Sequence, residues 1–425
     1  MKKLLIKNCT LISMSETRPK IEEKMDIAII NDRITQIDKN IESSDFDKII
    51  DANQMVAMPG LINTHSHISM SVFRETVDGY KTQDWLKKEI WPREDKLTKE
   101  DVYWASLLSC VEMIKTGTTT VNDMYFFTDS IIKAALDSGI RLQTSRALLG
   151  QNKNDRSRFS ELKELIEKYK DNKITFNAGI HGLYTCNKEY MIECVKFAKD
   201  NSLPIHMHFC ENEQEREDII RDYKVSNPAS VIESNFDGVH NLLAHCVKIN
   251  SKDIQILKNT NTFISHCPIS NLKLGCGIAP VKEMLDAGIC VSLGTDGQGS
   301  GSNLDMFETM KFTALLQKGI NENPQLLDSY DVLKMATING AKALMLEKDI
   351  GSIENGKLAD IILLDMSEVL TKPLNNIFAE IVYNIKGYNV NTTIINGDVL
   401  MENYKLKQDI NNIFKKCDEI CKHIF

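Results

Sequence analysis

Between residues 57 and 350 the chain alternates short apolar strands with helical stretches, and few folds accommodate that rhythm. Candidate strands run over 60–65, 118–123, 142–148, 176–181, 204–209, 241–245, 262–266 and 289–295. The segments between them carry helix punctuation. Thr98-x-x-Asp101 can cap a helix that runs to Lys115, with Gly117 as its stop, and residues 281–287 form a short helix ahead of Gly288. Strands that alternate with helices pair in parallel, because each crossover returns the chain to the same edge of the sheet. A doubly wound open sheet would call for a Gly-rich phosphate loop after a strand, and none follows any of these. The expected core is therefore a (β/α)8 TIM barrel of the α/β class.

The two ends have a different texture. Residues 4–7, 25–30, 34–37 and 48–51 read as short strands with a turn at Asn31-Asp32, and strands at 359–364 and 392–396 follow turns at Gly351-Ser352 and Asn355-Gly356. A small β-sandwich domain built from both chain ends is expected: residues 1–56 its first part, 57–350 the barrel, and 351–425 its second part with a C-terminal helix. A formal net charge of −8 with dispersed Lys and Arg argues against a nucleic-acid partner. No apolar run reaches membrane-spanning length, and Lys7-Asn8-Cys9 interrupts the only leader-like stretch. Eleven cysteines without a CxxC pair read as reduced thiols, so a cytoplasmic protein is expected.

Barrel chemistry gathers where strands end at the C-terminal face. The first strand ends in His65-Ser66-His67, and side chains two apart share a face. The fifth alternates His206 and His208 with apolar residues, the sixth ends at His245, and the eighth ends at Gly294-Thr295-Asp296-Gly297. His65, His67, His208 and Asp296 make a ligand set suited to one divalent metal, Zn²⁺ first, with Fe²⁺ and Mn²⁺ as alternatives. Such a metal draws the pKa of a bound water from about 15.7 toward about 7. An isolated His-x-His pair also occurs on surfaces. What singles out this set is that each member closes an expected barrel strand. His206 reads as a packed core histidine, His266 as a supporting or structural residue, and His240 and His423 as incidental.

Met58-Pro59-Gly60-Leu61-Ile62-Asn63-Thr64-His65-Ser66-His67 resembles the opening signature of the amidohydrolase superfamily. Gly117-Thr118-Thr119-Thr120, His208-x-x-Glu211, Leu243-Ala244-His245-Cys246 and Gly294-Thr295-Asp296-Gly297 follow in the family's order. Ser265-His266-Cys267-Pro268-x-Ser270-Asn271-Leu272-Lys273-Leu274 is similar to the branch holding 5′-methylthioadenosine/S-adenosylhomocysteine deaminases and chlorohydrolases. The resemblance implies a metal-dependent hydrolytic deaminase of adenosine-type nucleosides, with a metal-bound hydroxide attacking C6 and ammonia leaving. Deamination of another aminated heterocycle (guanine, a pterin, an oxidised purine) and a chlorohydrolase-like hydrolysis are the alternatives. It also implies a mononuclear site, Glu211 as the ring-protonating acid, Asp296 as proton acceptor and His245 as the residue orienting the nucleophile. Trp85, Glu94, Arg146 and His181 would contact the substrate, and a homo-oligomer is expected. Departures include Gly182-Leu183 after the fourth-strand histidine, Phe209-Cys210 before Glu211, and the turn Gln298-Gly299-Ser300-Gly301-Ser302-Asn303. Neither Arg156 nor Arg158 matches the relatives' second substrate-binding arginine.

Overall fold

A computed structural model describes residues 1–425 apart from 77, 151–155 and 171–172. Two parallel sheets make a barrel. One holds Leu61–Ser66, Thr118–Tyr125, Arg141–Arg146 and Ile174–Phe176; the other holds Ala178–Gly182, Ile205–Phe209, Asn241–His245, Thr262–His266 and Cys290–Leu293. One seam is stitched by Leu148 N–H donating to Gly179 O (2.8 Å) and His181 N–H to Leu148 O (3.0 Å). At the other, Asp296 N–H donates to His65 O (3.0 Å) and the Thr64 hydroxyl to Leu293 O (2.8 Å). The expected strands fall into place with one local change. The fourth is split at Asn177, whose side-chain amide donates to Asn122 Oδ1 inside the barrel (2.8 Å). A buried amide that needs a partner outweighs the continuity of the ladder there.

The helix ends follow their punctuation. Thr98 and Asp101 form a reciprocal capping box at the start of Lys99–Lys115, and Gly117 takes a left-handed φ of 84° beyond its end.

Strands from the two chain ends meet in one nine-stranded sheet. Ile361–Asp365 pairs antiparallel with Met55–Pro59, which in turn lies beside Lys3–Leu11. Met55–Pro59 was not among the expected strands, because its apolar run merges with that of the first barrel strand. Gly60 separates the two: a Cβ there would lie 2.1 Å from Thr119 Cγ2, so only glycine leaves room for the Thr119 side chain. Alternation then sorts the sheet's side chains. Val56, Met58, Ile362 and Leu364 join the barrel's core, while Ala57, Ile361, Leu363 and Ile394 join a separate core with Leu4, Ile6 and Ile27. The C-terminal helix Ile410–Ile424 buries Ile413, Cys417, Ile420 and Ile424, and it packs on the barrel helix Lys99–Lys115. All eleven cysteines are free thiols, and among the described residues no helix is long and apolar enough to cross a membrane.

A buried ion pair ties barrel to sheet. Arg141, which opens the third barrel strand, donates to both oxygens of Asp360 (3.0 and 3.1 Å) and to Asn396, and Asp360 also accepts Asn396 N–H at 2.8 Å. Removing one partner strands a buried charge, so Asp360→Ala should lose about 3–5 kcal/mol and melt at lower temperature in scanning calorimetry. Arg141→Met/Asp360→Leu should recover most of that loss. An Asp360→Ala protein as stable as wild type would show that the tie contributes nothing.

Candidate active site

The first barrel strand carries His65, and His67 follows directly after it. One donor atom from each of His65, His208, His245 and Asp296 lies within 4.8 Å of the others. His67 Nε2 is 3.2 Å from both His208 Nε2 and Asp296 Oδ1, and His65 Nε2 is 3.4 Å from the same oxygen. The four residues expected as ligands are thus brought together, with His245 beside them.

Every imidazole of the group is held by its other nitrogen. His67 Nδ1–H donates to Met124 O (2.7 Å) and His208 Nδ1–H to His181 O (2.5 Å). His245 Nδ1 is 2.9 Å from Asn271 Oδ1, and His65 Nδ1 is 2.8 Å from His206 Nε2. A carbonyl only accepts, so His67 and His208 present unprotonated Nε2 atoms when neutral. Two lone pairs then face each other across 3.2 Å beside a carboxylate, while His65 Nε2 and His245 Nε2 are buried with no hydrogen-bond partner. Such convergence repels itself unless positive charge sits within it, a proton on His67 or a metal ion, and nitrogen donors with one carboxylate suit a borderline divalent ion. Asp296 Oδ2 is held separately by the hydroxyls of Ser270 and Ser300, each at 2.7 Å, which leaves Oδ1 toward the imidazoles.

Burial and mutual charge polarise the group. Burial lowers His65 to about 4 against the pull of Asp296, and burial with the neighbouring imidazoles drives His208 well below the usual range. Burial alone would lower His67 and raise Asp296, but their contact reverses both: His67 rises to about 9 and Asp296 lies well below an ordinary carboxylate. His245 and Asp296 take left-handed φ values of 73° and 63°. Such conformations are costly for non-glycine residues and persist where the surroundings over-determine them.

Glu211 lies on the turn after the fifth strand, only 5% exposed. Its Oε1 accepts from the Thr82 hydroxyl (3.5 Å) and the Cys276 thiol (3.7 Å). Burial raises its pKa; the nearby Asp296 charge adds to this and His245 opposes it. Sequence reasoning missed its support. Glu215, fully buried, accepts the N–H groups of Cys210 (3.0 Å) and Glu211 (2.7 Å), holding the corner on which Glu211 stands. Asn212-x-x-Glu215 reads as an ordinary capping box, but the carboxylate reaches past the cap to the two preceding amides.

The expected substrate residues scatter more. Trp85 is packed beside Met70 against Gly299, where a Cβ would lie 3.0 Å from its ring. Glu94 accepts from Tyr125 Oη–H at 2.5 Å, and burial lifts it to about 7 despite that bond. His181 lies beside His208, ring centroids 4.9 Å apart, and burial with the charges of His67 and His65 lowers it to about 3. Arg146 donates to Glu161 (2.8 Å) rather than into the imidazole group. Arg156 pairs with Glu193, while Arg158 donates to Ala147 O (3.1 Å) and its charge acts on His181. His206 supports His65, and His266 is buried beside His245. His240 and His423 bond backbone carbonyls elsewhere.

Residues 56–400 match the model of the amidohydrolase family. The chain belongs to this family. Among amidohydrolase relatives, a 5-methylthioadenosine/S-adenosylhomocysteine deaminase of Thermoanaerobacter pseudethanolicus is 39% identical, with 99% of each chain covered. A 5′-deoxyadenosine deaminase of Methanobrevibacter smithii is also 39% identical, over 97% of this chain and 96% of the relative. Among solved structures, an adenosine deaminase of Xanthomonas campestris with bound zinc superposes with a TM-score of 0.94 at 27% identity, covering 100% of this chain and 98% of the other.

The imidazole group should take up one divalent cation per chain, measured by elemental mass spectrometry after dialysis, and His208→Ala should lose it. Asn271→Ala, which frees His245 Nδ1, should weaken the affinity by about 10–100-fold. Unchanged affinity in that variant would remove Asn271 from the supporting set.

Proposed function

We propose that this chain is a hydrolytic deaminase of adenosine-type nucleosides whose sugar carries a 5′-thioether or 5′-deoxy group. The observation that carries this reading is Glu211, a buried carboxyl whose pKa burial raises, set beside a cluster of nitrogen and carboxylate donors suited to a cation. Relatives named for such nucleosides, matched over nearly the whole chain, support the substrate class.

In this reading His65, His67, His208 and Asp296 hold the cation, and zinc is the first choice because the similar adenosine deaminase binds it. A cation there would supply Lewis acidity, bringing a water close to ionisation at neutral pH. His245 Nε2, kept in place through Asn271, orients the attacking oxygen. Asp296, its Oδ2 anchored by two serine hydroxyls, accepts the proton released by water. Glu211 delivers its proton to the ring nitrogen next to C6, so the ring accepts the electron pair displaced as the C6–O bond forms. The C6–N bond to the exocyclic amine then breaks and the amine leaves as ammonia with the proton from Asp296; the C6 hydroxyl gives up its own proton, which returns Glu211 to its acid form, and a neutral inosine-type product remains. Glu94 and His181 line the route for the rest of the nucleoside. We read residues 57–350 as the catalytic barrel, with 1–56 and 351–425 forming the β-sandwich around the nine-stranded sheet. The eleven free thiols fit a reducing cytoplasm.

A spectrophotometric screen of the zinc-loaded protein should show turnover of methylthioadenosine, S-adenosylhomocysteine, 5′-deoxyadenosine or adenosine, and none of guanine or a pterin. Activity confined to the free bases would overturn the nucleoside assignment. Glu211→Gln should keep its metal while kcat falls about 100-fold or more; metal loss in that variant would make Glu211 a ligand or a structural support instead. Chelation should abolish turnover and zinc restore it. Zinc at about 100 times its Kd should also stabilise the apoprotein by about 2.7 kcal/mol, read as a rise in melting temperature.

A further inference from the structure

The sequence over 265–274 is the most branch-specific stretch of the chain, yet it supplies none of the reacting groups. It leaves the seventh barrel strand and coils into the short helix Pro268–Lys273. Proline at the first helical position sets the entry to this helix, and a Schellman motif closes its end. There Gly275 N–H donates to Leu272 O (3.0 Å) and Cys276 N–H to Asn271 O (2.8 Å), with Gly275 at a left-handed φ of 66°. Asn271 N–H in turn donates to Cys267 O (3.1 Å), so residues 267–276 are tied into one small body. Lys273 anchors that body to its surroundings, donating to Ser302 Oγ (3.0 Å) and Glu75 Oε2 (3.1 Å).

Three of its side chains each reach a different proton-handling residue. Ser270 Oγ–H donates to Asp296 Oδ2 (2.7 Å), Asn271 Oδ1 lies 2.9 Å from His245 Nδ1, and the Cys276 thiol donates to Glu211 Oε1 (3.7 Å). All three are buried. Asp296, His245 and Glu211 leave the barrel at the ends of the eighth, sixth and fifth strands, so nothing in their own backbones fixes one against another. The bond between Cys276 N–H and Asn271 O links the hold on Glu211 to the hold on His245, and Ser270 is the neighbour of Asn271 in the same helix. Proton transfer demands such mutual placement, since a shift of about 1 Å in a reacting group can cost about 100-fold in rate.

We propose that residues 267–276 form a single positioning unit for proton transfer, in which Ser270, Asn271 and Cys276 fix Asp296, His245 and Glu211 relative to one another. This rests on the deaminase reading above and adds to it the element that keeps the proton donor, the proton acceptor and the residue orienting the nucleophile in register. The three side chains are positioning residues and act through the groups they hold.

In zinc-saturated enzyme, Ser270→Ala, Asn271→Ala and Cys276→Ala should each lower kcat for 5′-methylthioadenosine about five- to tenfold, the worth of one hydrogen bond, with KM held within about twofold. Breaking one hold frees the whole unit. The Ser270→Ala/Cys276→Ala double variant should therefore fall no more than about threefold below the slower single variant, whereas independent losses would multiply. Cys276→Ser keeps a donor and should stay within about twofold of wild type. Losses that multiply, a rise in KM in place of the fall in kcat, or equal kcat for Cys276→Ser and Cys276→Ala would each overturn the assignment. Should the double variant fail to fold, the comparison of serine with alanine at position 276 decides it. Calorimetric zinc binding gives a second readout without turnover. Kd should rise about tenfold or more in Ser270→Ala and in Asn271→Ala, and the double variant should add no more than about threefold to the weaker of the two; a multiplied loss would again overturn the unit. If the wild-type enzyme left every nucleoside intact, the deaminase reading would fail, and the zinc comparison alone would decide whether the unit exists.

Discussion

Four imidazole nitrogens and one carboxylate oxygen are gathered close together among buried side chains, and the rest of the barrel mouth is arranged around making that tolerable. Left to themselves, neutral imidazoles would turn their lone pairs away from each other and from Asp296. They are prevented by hydrogen bonds on the far side of every ring: Met124 O for His67, His181 O for His208, Asn271 for His245 and His206 for His65. Supporting contacts of this kind define which nitrogen faces inward, and hence whether the cluster can bind a cation at all.

The backbone accepts strain for the same end. His245 and Asp296 each adopt a left-handed conformation as their strands finish, which turns the side chain inward at the moment the chain leaves the barrel. Asp296 also lies on the closing seam, where its N–H donates to His65 O. One residue therefore serves the ladder through its backbone and the cluster through its side chain. Loosening the seam would move the carboxylate relative to the histidine it must face.

Glu211 and Glu94 show two ways of holding a carboxyl in such a site. Glu211 sits on a corner whose amides are clasped by Glu215, so its position is set by the backbone beneath it. Glu94 comes from a segment between the first and second barrel strands, and its position is set from outside by Tyr125. Both are shielded from water, and both have raised pKa values through burial first of all.

Strand–helix alternation, the His65-Ser66-His67 pair and the residues that close the later strands were legible in the amino-acid order, because periodicity and strand-end position are local properties. Local patterns also gave the capping box at Thr98 and the stop at Gly117. The pairing of Met55–Pro59 with Ile361–Asp365 was not legible, since strands about 300 residues apart carry no mark of their partner. Nor were Glu215, Tyr125, Thr82 and Cys276, which look like an ordinary helix carboxylate, a strand aromatic, a loop hydroxyl and a buried thiol until the fold sets them against Glu211 and Glu94. The chain alone determined which chemical groups stand at the strand ends. Only the closed barrel decided which nitrogen each ring presents and which carboxyls are kept dry, because those depend on contacts between segments that meet solely in three dimensions.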